Sequence, residues 1–309
     1  MIIRLAFGLG LFLGSMALGW WLAWRGWMPE ARASRLVRWV IVGTSPLVLC
    51  LSFWHMPLRS VEPWVLPLLG TVVAASTLLP ALWYAKRAGL SRQETGSFLE
   101  CAFFSNLGYL GGFTAFALYG EAAYGLCALY FMFFSPCFYT LGFWIAARFG
   151  QGGSSTGLSA GFHDELRLYP FVGMLVGIGL NLARVPRPAP LEWLNHALIP
   201  VSTALYLVSV GSQLRLESPR SSWRACVAMS AIKFVYTPAV AWLLASLLGL
   251  QGLSRIVVLL EASTPVGVSP LVLPMLFGID RKLCNALWWF TTIVSIPWFL
   301  LIIPLLPRL

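Results

Sequence analysis

Asn106-Leu107-Gly108-Tyr109-Leu110-Gly111-Gly112 interrupts an apolar segment running from Phe98 to Gly120, and Thr264-Pro265-Val266-Gly267-Val268-Ser269-Pro270 interrupts a second, from Ile256 to Gly278. Glycine weakens a helix and proline removes one of its donors, so each segment is expected to unwind mid-span. Inside a bilayer, unwound backbone survives only where protein buries it or where it lines a cavity. A pair of interrupted apolar segments at matching places in the two halves of a chain is the sequence pointer to the site of a secondary transporter. The expectation is an all-α integral membrane protein with its site near the bilayer midplane.

Composition supports the membrane. Of 309 residues 59% are hydrophobic and only 10% charged, against about a quarter charged in soluble domains. The mean hydropathy is +0.79. No alternation of about ten residues recurs, which argues against an outer-membrane barrel. The six cysteines (Cys50, Cys101, Cys127, Cys137, Cys226 and Cys284) lie in apolar runs without a CxxC pair, and no histidine stands at ligand spacing. They read as small buried hydrophobes, with no metal and no cofactor implied.

Ten segments are apolar and long enough to span: 3–24, 36–56, 63–85, 97–120, 123–148, 166–184, 191–214, 223–249, 254–278 and 282–306. The first follows Arg4 and reads as a retained span rather than a cleaved leader. With the N-terminus outside, the inner loops hold 14 basic residues, from Arg25, Arg32, Arg35 and Arg38 through Lys86, Arg87, Arg92, Arg148, Arg167, Arg215, Arg220 and Arg224 to Arg281 and Lys282. The outer side holds 6: Arg4, Arg59, Arg184, Arg187, Arg255 and Arg308. The positive-inside rule then places both termini outside. The net charge of +10 is mostly this topology signal, and no basic face suited to nucleic acid is present. Trp20, Trp21, Trp24 and Trp27 cluster as an interfacial belt would.

One long polar connection, QGGSSTGLSAG from Gln151 to Gly161, separates five spans from five. The halves are read as repeats at 1–150 and 166–309, joined by 151–165. Pro80 is matched by Pro238, and Leu118-Tyr119-Gly120 by Leu276-Phe277-Gly278, both 158 residues later; Pro46 is matched by Pro200 at 154. An odd number of spans per half inverts the second repeat, so that spans 4 and 9 cross where both are broken.

These segments resemble the auxin efflux carrier family, which includes bacterial organic-anion permeases. Asn106-Leu107-Gly108-Tyr109-Leu110-Gly111 is similar to the family's span 4 signature, and Pro265-Val266-Gly267-Val268-Ser269-Pro270 to its Pro-x-Gly-x-x-Pro in span 9. Ser45-Pro46, Pro200 with Gly211, and Lys233 five residues before Pro238 also fit. One departure is Phe113, where the family usually has proline, preceded by Gly111-Gly112; its ring would favour an apolar solute near the break. The resemblance implies a crossover fold like that of sodium/proton antiporters, with spans 1, 2, 6 and 7 as scaffold and the rest as transport domain. It also implies a homodimer in the inner membrane.

The chemistry is expected at the breaks. Helix ends exposed there attract a carboxylate, and Asn106 can donate and accept. Thr264 and Ser269 supply hydroxyls, while Gly108, Gly111 and Gly267, flanked by Pro265 and Pro270, let backbone approach the solute. Lys233 lies about 15 Å into span 8. It is read as pairing with the substrate carboxylate, offsetting the carbonyl ends of the broken helices, or releasing a proton. Glu261 and Glu100 are the acids inside the membrane, with Glu261 the better proton carrier of the two.

The function implied is secondary transport of small organic anions by alternating access, coupled to protons. A sodium-coupled bile-acid-type symporter and a non-transporting receptor of the same fold remain as alternatives. An enzyme is not expected: HExxH, GxSxG and Gly-x-Gly-Asp are absent, and His55, His163 and His196 lie at span ends or in loops.

Overall fold

The computed structural model describes residues 2–56, 58, 61–151, 169–213 and 222–306, with side chains from Phe7 onward. Most of the linker 151–165, with His163, lies outside the described residues, as do Arg59, Arg167, Arg215, Arg220 and Arg308 and the side chain of Arg4. The described chain is helical. In order it forms α1 (Ile2–Trp24), α2 (Glu30–Trp39), α3 (Ser45–His55), α4 (Glu62–Ser76), α5 (Leu78–Ala88), α6 (Arg92–Phe103), α7 (Phe113–Tyr119) and α8 (Glu121–Tyr130). Then come α9 (Phe134–Cys137), α10 (Phe143–Phe149), α11 (Tyr169–Leu182), α12 (Ala189–Ser212) and α13 (Trp223–Ala231). The last are α14 (Thr237–Leu247), α15 (Gly252–Ala262), α16 (Leu273–Phe277) and α17 (Arg281–Ile302).

Among the described residues, seven continuous stretches are long and apolar enough to cross a bilayer: Phe7–Trp24, Glu30–His55, Glu62–Ala88, Glu121–Phe149, Ala189–Ser212, Trp223–Leu247 and Arg281–Ile302. They coincide with seven of the ten expected segments. Of the other three, 97–120 and 254–278 are the interrupted pair, and 166–184 is helical over Tyr169–Leu182.

Proline explains the joints inside the long stretches. Val40–Thr44 and Ile232–Tyr236 are π-helical turns, each followed by a helix with proline near its start, Pro46 and Pro238. Proline has no N–H, so carbonyls of the preceding turn lose a donor and the ladder widens. Threonine hydroxyls compensate: Thr44 Oγ1 donates to the Val40 carbonyl at 3.2 Å, and Thr237 Oγ1 to that of Ile232 at 2.7 Å. A third π turn, Phe138–Gly142, follows Pro136, whose carbonyl accepts from Thr140 Oγ1 at 2.7 Å.

The chain divides into two compact units. The first comprises Met1–Trp64, Gly108–Ala128 and Asp164–Leu214. In it α1 packs on α12 and α3 on α11. The helices touch backbone to backbone, because a Cβ added at Gly173 or Gly177 would meet the carbonyl oxygens of Pro46 and Cys50 at 2.2 and 2.3 Å. Gly19 and Gly211 make the same kind of contact between α1 and α12. Small residues are the usual means of close packing in lipid, where apolar side chains gain little by meeting each other. Phe113, Val48 and Ile199 form a core with Leu11, Phe116, Tyr124 and Leu198 around them. The ring expected to favour an apolar solute is thus 1% exposed and serves packing. At the end of α3, Arg187 pairs with Glu121 and donates to the Leu51 carbonyl at 3.0 Å, while Asn195 Nδ2 donates to Ser52 Oγ at 2.9 Å and Glu121 Oε1 at 2.6 Å.

The second unit comprises Val65–Leu107, Leu129–His163 and Arg215–Leu309. Its centre is α6, packed against α5, α10, α13 and α17. Ser91 and Glu94 form a reciprocal capping box at its N-terminus, satisfying two donors that the first turn leaves open. Aromatic rings fill the space along it, with Tyr84 stacked on Phe98 at 4.9 Å and Phe104 against Phe134 and Phe138 at 5.1 and 5.3 Å.

Candidate functional site

Both interrupted segments open within the second unit. Helix α6 ends at Phe103, and Phe104 is extended (φ −91°, ψ 114°). Helix α15 ends at Ala262, with Ser263 as its cap. The unwound stretches then pair as a two-residue antiparallel bridge, Ser105 opposite Val266. Asn106 N donates to the Pro265 carbonyl and Gly267 N to the Phe104 carbonyl, each at 2.9 Å. Thr291 Oγ1 of α17 accepts from Val266 N at 3.2 Å. Backbone freed by unwinding is therefore satisfied by protein, as a dry environment requires. Gly267 is needed for the approach: a Cβ there would lie 2.8 Å from the Ser105 carbonyl oxygen.

The carbonyl ends of the two helices are closed by different means. Lys233, fully buried on the Ile232–Tyr236 turn, donates from Nζ to the Ala102 carbonyl and to Ser105 Oγ, both at 2.7 Å. Thr77 Oγ1 gives a second bond to the Ala102 carbonyl at 2.9 Å. At the end of α15, Ser263 Oγ donates to the Leu259 carbonyl and Thr264 Oγ1 to that of Glu261, both at 2.7 Å. Of the three roles expected for Lys233, offsetting a helix carbonyl end is the one its contacts match.

With the carbonyls occupied, a donor is left over. Asn106 is 4% exposed, and its Nδ2 is buried without a hydrogen-bond partner. A buried amide donor without a partner is costly and calls for an acceptor. The remaining expected residues fall into place around this geometry. Pro265 and Gly267 lie in the pairing, Thr264 is fully buried just before it, and Ser269 and Pro270 open a short 3₁₀ turn after it. Glu100 and Glu261 are fully buried on α6 and α15. Gly108 and Gly111 belong to the first unit, in the π turn Leu107–Gly112, where Tyr109 stacks on Tyr206 with ring centroids 3.4 Å apart.

Sequence reading missed Ser105, Thr77 and Thr291. Ser105 carried a usable signal, a second polar residue beside Asn106 in an apolar run. Thr77 and Thr291 carried none, since isolated hydroxyls in spanning helices commonly bond their own backbone.

Residues 164–303 match the family described as membrane transport protein. The chain is 28% identical over 216 residues to an uncharacterized transporter of Methanocaldococcus jannaschii, covering 67% of each chain. It is 26% identical over 283 residues to an uncharacterized transporter of Methanothermobacter thermautotrophicus, covering 90% of this chain and 91% of that one.

Proposed function

We propose that this chain, which belongs to the membrane transport protein (auxin efflux carrier) family and is a membrane transporter rather than an enzyme, carries small organic anions as a secondary transporter. The observation that carries the reading is the unpartnered, buried Nδ2 of Asn106 beside paired backbone breaks whose carbonyls are already bonded. Such a site has a buried donor to spare, which suits a carboxylate oxygen. Lys233, whose Nζ donates to Oγ of the bridge residue Ser105, would supply a cation that lowers the cost of bringing an anion into a dry site. The solute oxygen would take the donor that the protein leaves free, and alternating access would expose this place to each side in turn.

The finer architecture proposed with it is an inverted repeat of five and five spans, its discontinuous spans 4 and 9 crossing at the bridge. Two copies would associate as a homodimer in the inner membrane, with both termini outside. The Ser105–Val266 pairing and the basic residues of the inner loops support this reading.

The test is flux in proteoliposomes with a panel of labelled mono- and dicarboxylates, malate-like, malonate-like and aromatic. Asn106→Ala removes the donor without adding bulk and is expected to abolish flux of the acid that the unaltered protein moves, with the protein still folded. Equal flux in the variant would remove Asn106 from the site. Binding without flux for every acid would favour a receptor of the same fold.

A further inference from the structure

Glu100 lies in the centre of the second unit, on α6. Its side chain is fully buried, and neither Oε1 nor Oε2 has a hydrogen-bond partner. It projects from the last turn of α6, where its own carbonyl accepts the Phe104 amide at 3.0 Å. Facing it is the π turn Phe138–Gly142: a Cβ on Gly142 would lie 3.4 Å from Oε2 and 3.0 Å from the Phe104 ring. Backbone and aromatic carbon thus wall the carboxyl in.

An ionised carboxyl has two oxygens and about four lone-pair sites to satisfy. Here none is satisfied, and a bare buried charge is among the most expensive things a protein can hold. The position adds to the cost, because the end of a helix already concentrates partial negative charge. The titratable groups on the packed elements do not relieve it. Cys284 on α17 is the one that faces Glu100, and Cys101 is its neighbour on α6. Tyr84 of α5 stacks on Phe98, and Arg148 of α10 offers only its carbonyl, to Arg92. Lys233 is engaged with Ala102 and Ser105. Glu261, equally buried, does interact with a neighbour.

We propose that Glu100 is the proton-binding residue of this protein: it carries a proton in the arrangement seen here and gives it up to water when the paired breaks rearrange. On release the O–H bond of Glu100 breaks, the proton passes to water, and the carboxylate left behind is stable only where water or a cation reaches it. The π turn opposite is the place for such an opening, since a widened turn repacks at low cost. If the chain is the anion carrier proposed above, one proton is taken up and released per anion moved, so a pH gradient drives the anion. That coupling rests on the carrier reading, but the residence of the proton does not.

Two measurements separate these parts. The first is the infrared spectrum of purified protein at neutral pH, which shows a carbonyl stretching band for each protonated carboxyl. A band component present in the unaltered protein, lost in Glu100→Gln and retained in Glu261→Gln, is the expected result. A spectrum in which Glu100→Gln removes no component would overturn the proposal. Gln is the neutral isostere of a protonated acid, and Glu100→Met is a second neutral replacement; failure of both to fold would also count against a protonated Glu100. The second measurement is proteoliposome flux of malate, malonate and an aromatic carboxylate across an imposed pH gradient. The expected outcome is several-fold acceleration in the unaltered protein, absent in Glu100→Gln, which still exchanges labelled for unlabelled anion. Continued acceleration in Glu100→Gln would overturn the coupling. Absence of flux in the unaltered protein, with the infrared result standing, would overturn the carrier reading alone.

Discussion

Lys233 has no carboxylate among its hydrogen-bond partners; it holds a carbonyl and a hydroxyl instead. Taking an ammonium out of water costs several kcal/mol. Each hydrogen bond from a charged donor returns about 1.5–3 kcal/mol. The two sums nearly cancel, so the residue contributes geometry more than stability. Lys233→Met, which keeps the stem and removes the charge, is therefore expected to change the thermal midpoint by no more than a few degrees. Transport should nonetheless be lost, because Ser105 is released and the bridge beside Asn106 loosens. Thermal unfolding and flux measured on one preparation check both halves; a large drop in stability would show the lysine to be structural. Lys233 and Asn106 were legible in the sequence because polar residues of that size are rare in apolar runs. The protonation partner was harder to choose. Glu261, about one turn before a proline, is the acid that sequence favours, while the walling of Glu100 by a helix end and a π turn depends on residues far away in sequence.

At the scale of the element, glycine and proline pointed to the right segments and only half-located the breaks. The second opens at Ser263–Val268, around Pro265, as a missing donor dictates. The first opens upstream of its glycines, at Phe104–Asn106, and Gly108, Gly111 and Gly112 continue as a π turn instead. What holds Phe104–Asn106 extended is its pairing with Pro265 and Gly267, a partner about 160 residues distant that no local pattern reveals. The pairing makes a specific demand on Gly267. A methyl there meets a carbonyl oxygen that is itself fixed by the bridge, so Gly267→Ala is expected to destabilise the protein by about 1–3 kcal/mol. Gly179 in α11 has open space around its missing Cβ. Gly179→Ala should leave stability unchanged or raise it by up to about 1 kcal/mol. Unfolding of the two variants side by side tests the contact rather than glycine content in general.

For the whole molecule, the spans were legible because about 20 apolar residues must cross a bilayer whatever their tertiary contacts. The grouping of helices follows the division that the family resemblance implies rather than any local pattern: the first unit takes spans 1, 2, 6 and 7 with Gly108–Ala128, so each unit draws segments from both of the halves read at 1–150 and 166–309. Helix partners in lipid are selected by small residues and closed polar pairs, which leave a faint trace in sequence. Orientation remains accessible to experiment through the basic loops. In a background without native cysteines, Met28→Cys, beside Arg25 and Arg32, should react with an impermeant reagent only from the inside, and Val185→Cys only from the outside. The reverse pattern would overturn the assignment of both termini. The backbone contact of Gly19 with α12 also imposes a schedule on biosynthesis. Helix α1 is made well before α12, and the surface it must meet, at Val208 to Ser212, does not exist until about 190 further residues have been made. At about 5–20 residues per second that interval is on the order of ten seconds or more, during which α1 waits in the membrane with a bare glycine face. The newly made chain is therefore vulnerable while it is still being translated, and its quality control must tolerate an orphan α1 whose glycine face the finished protein covers.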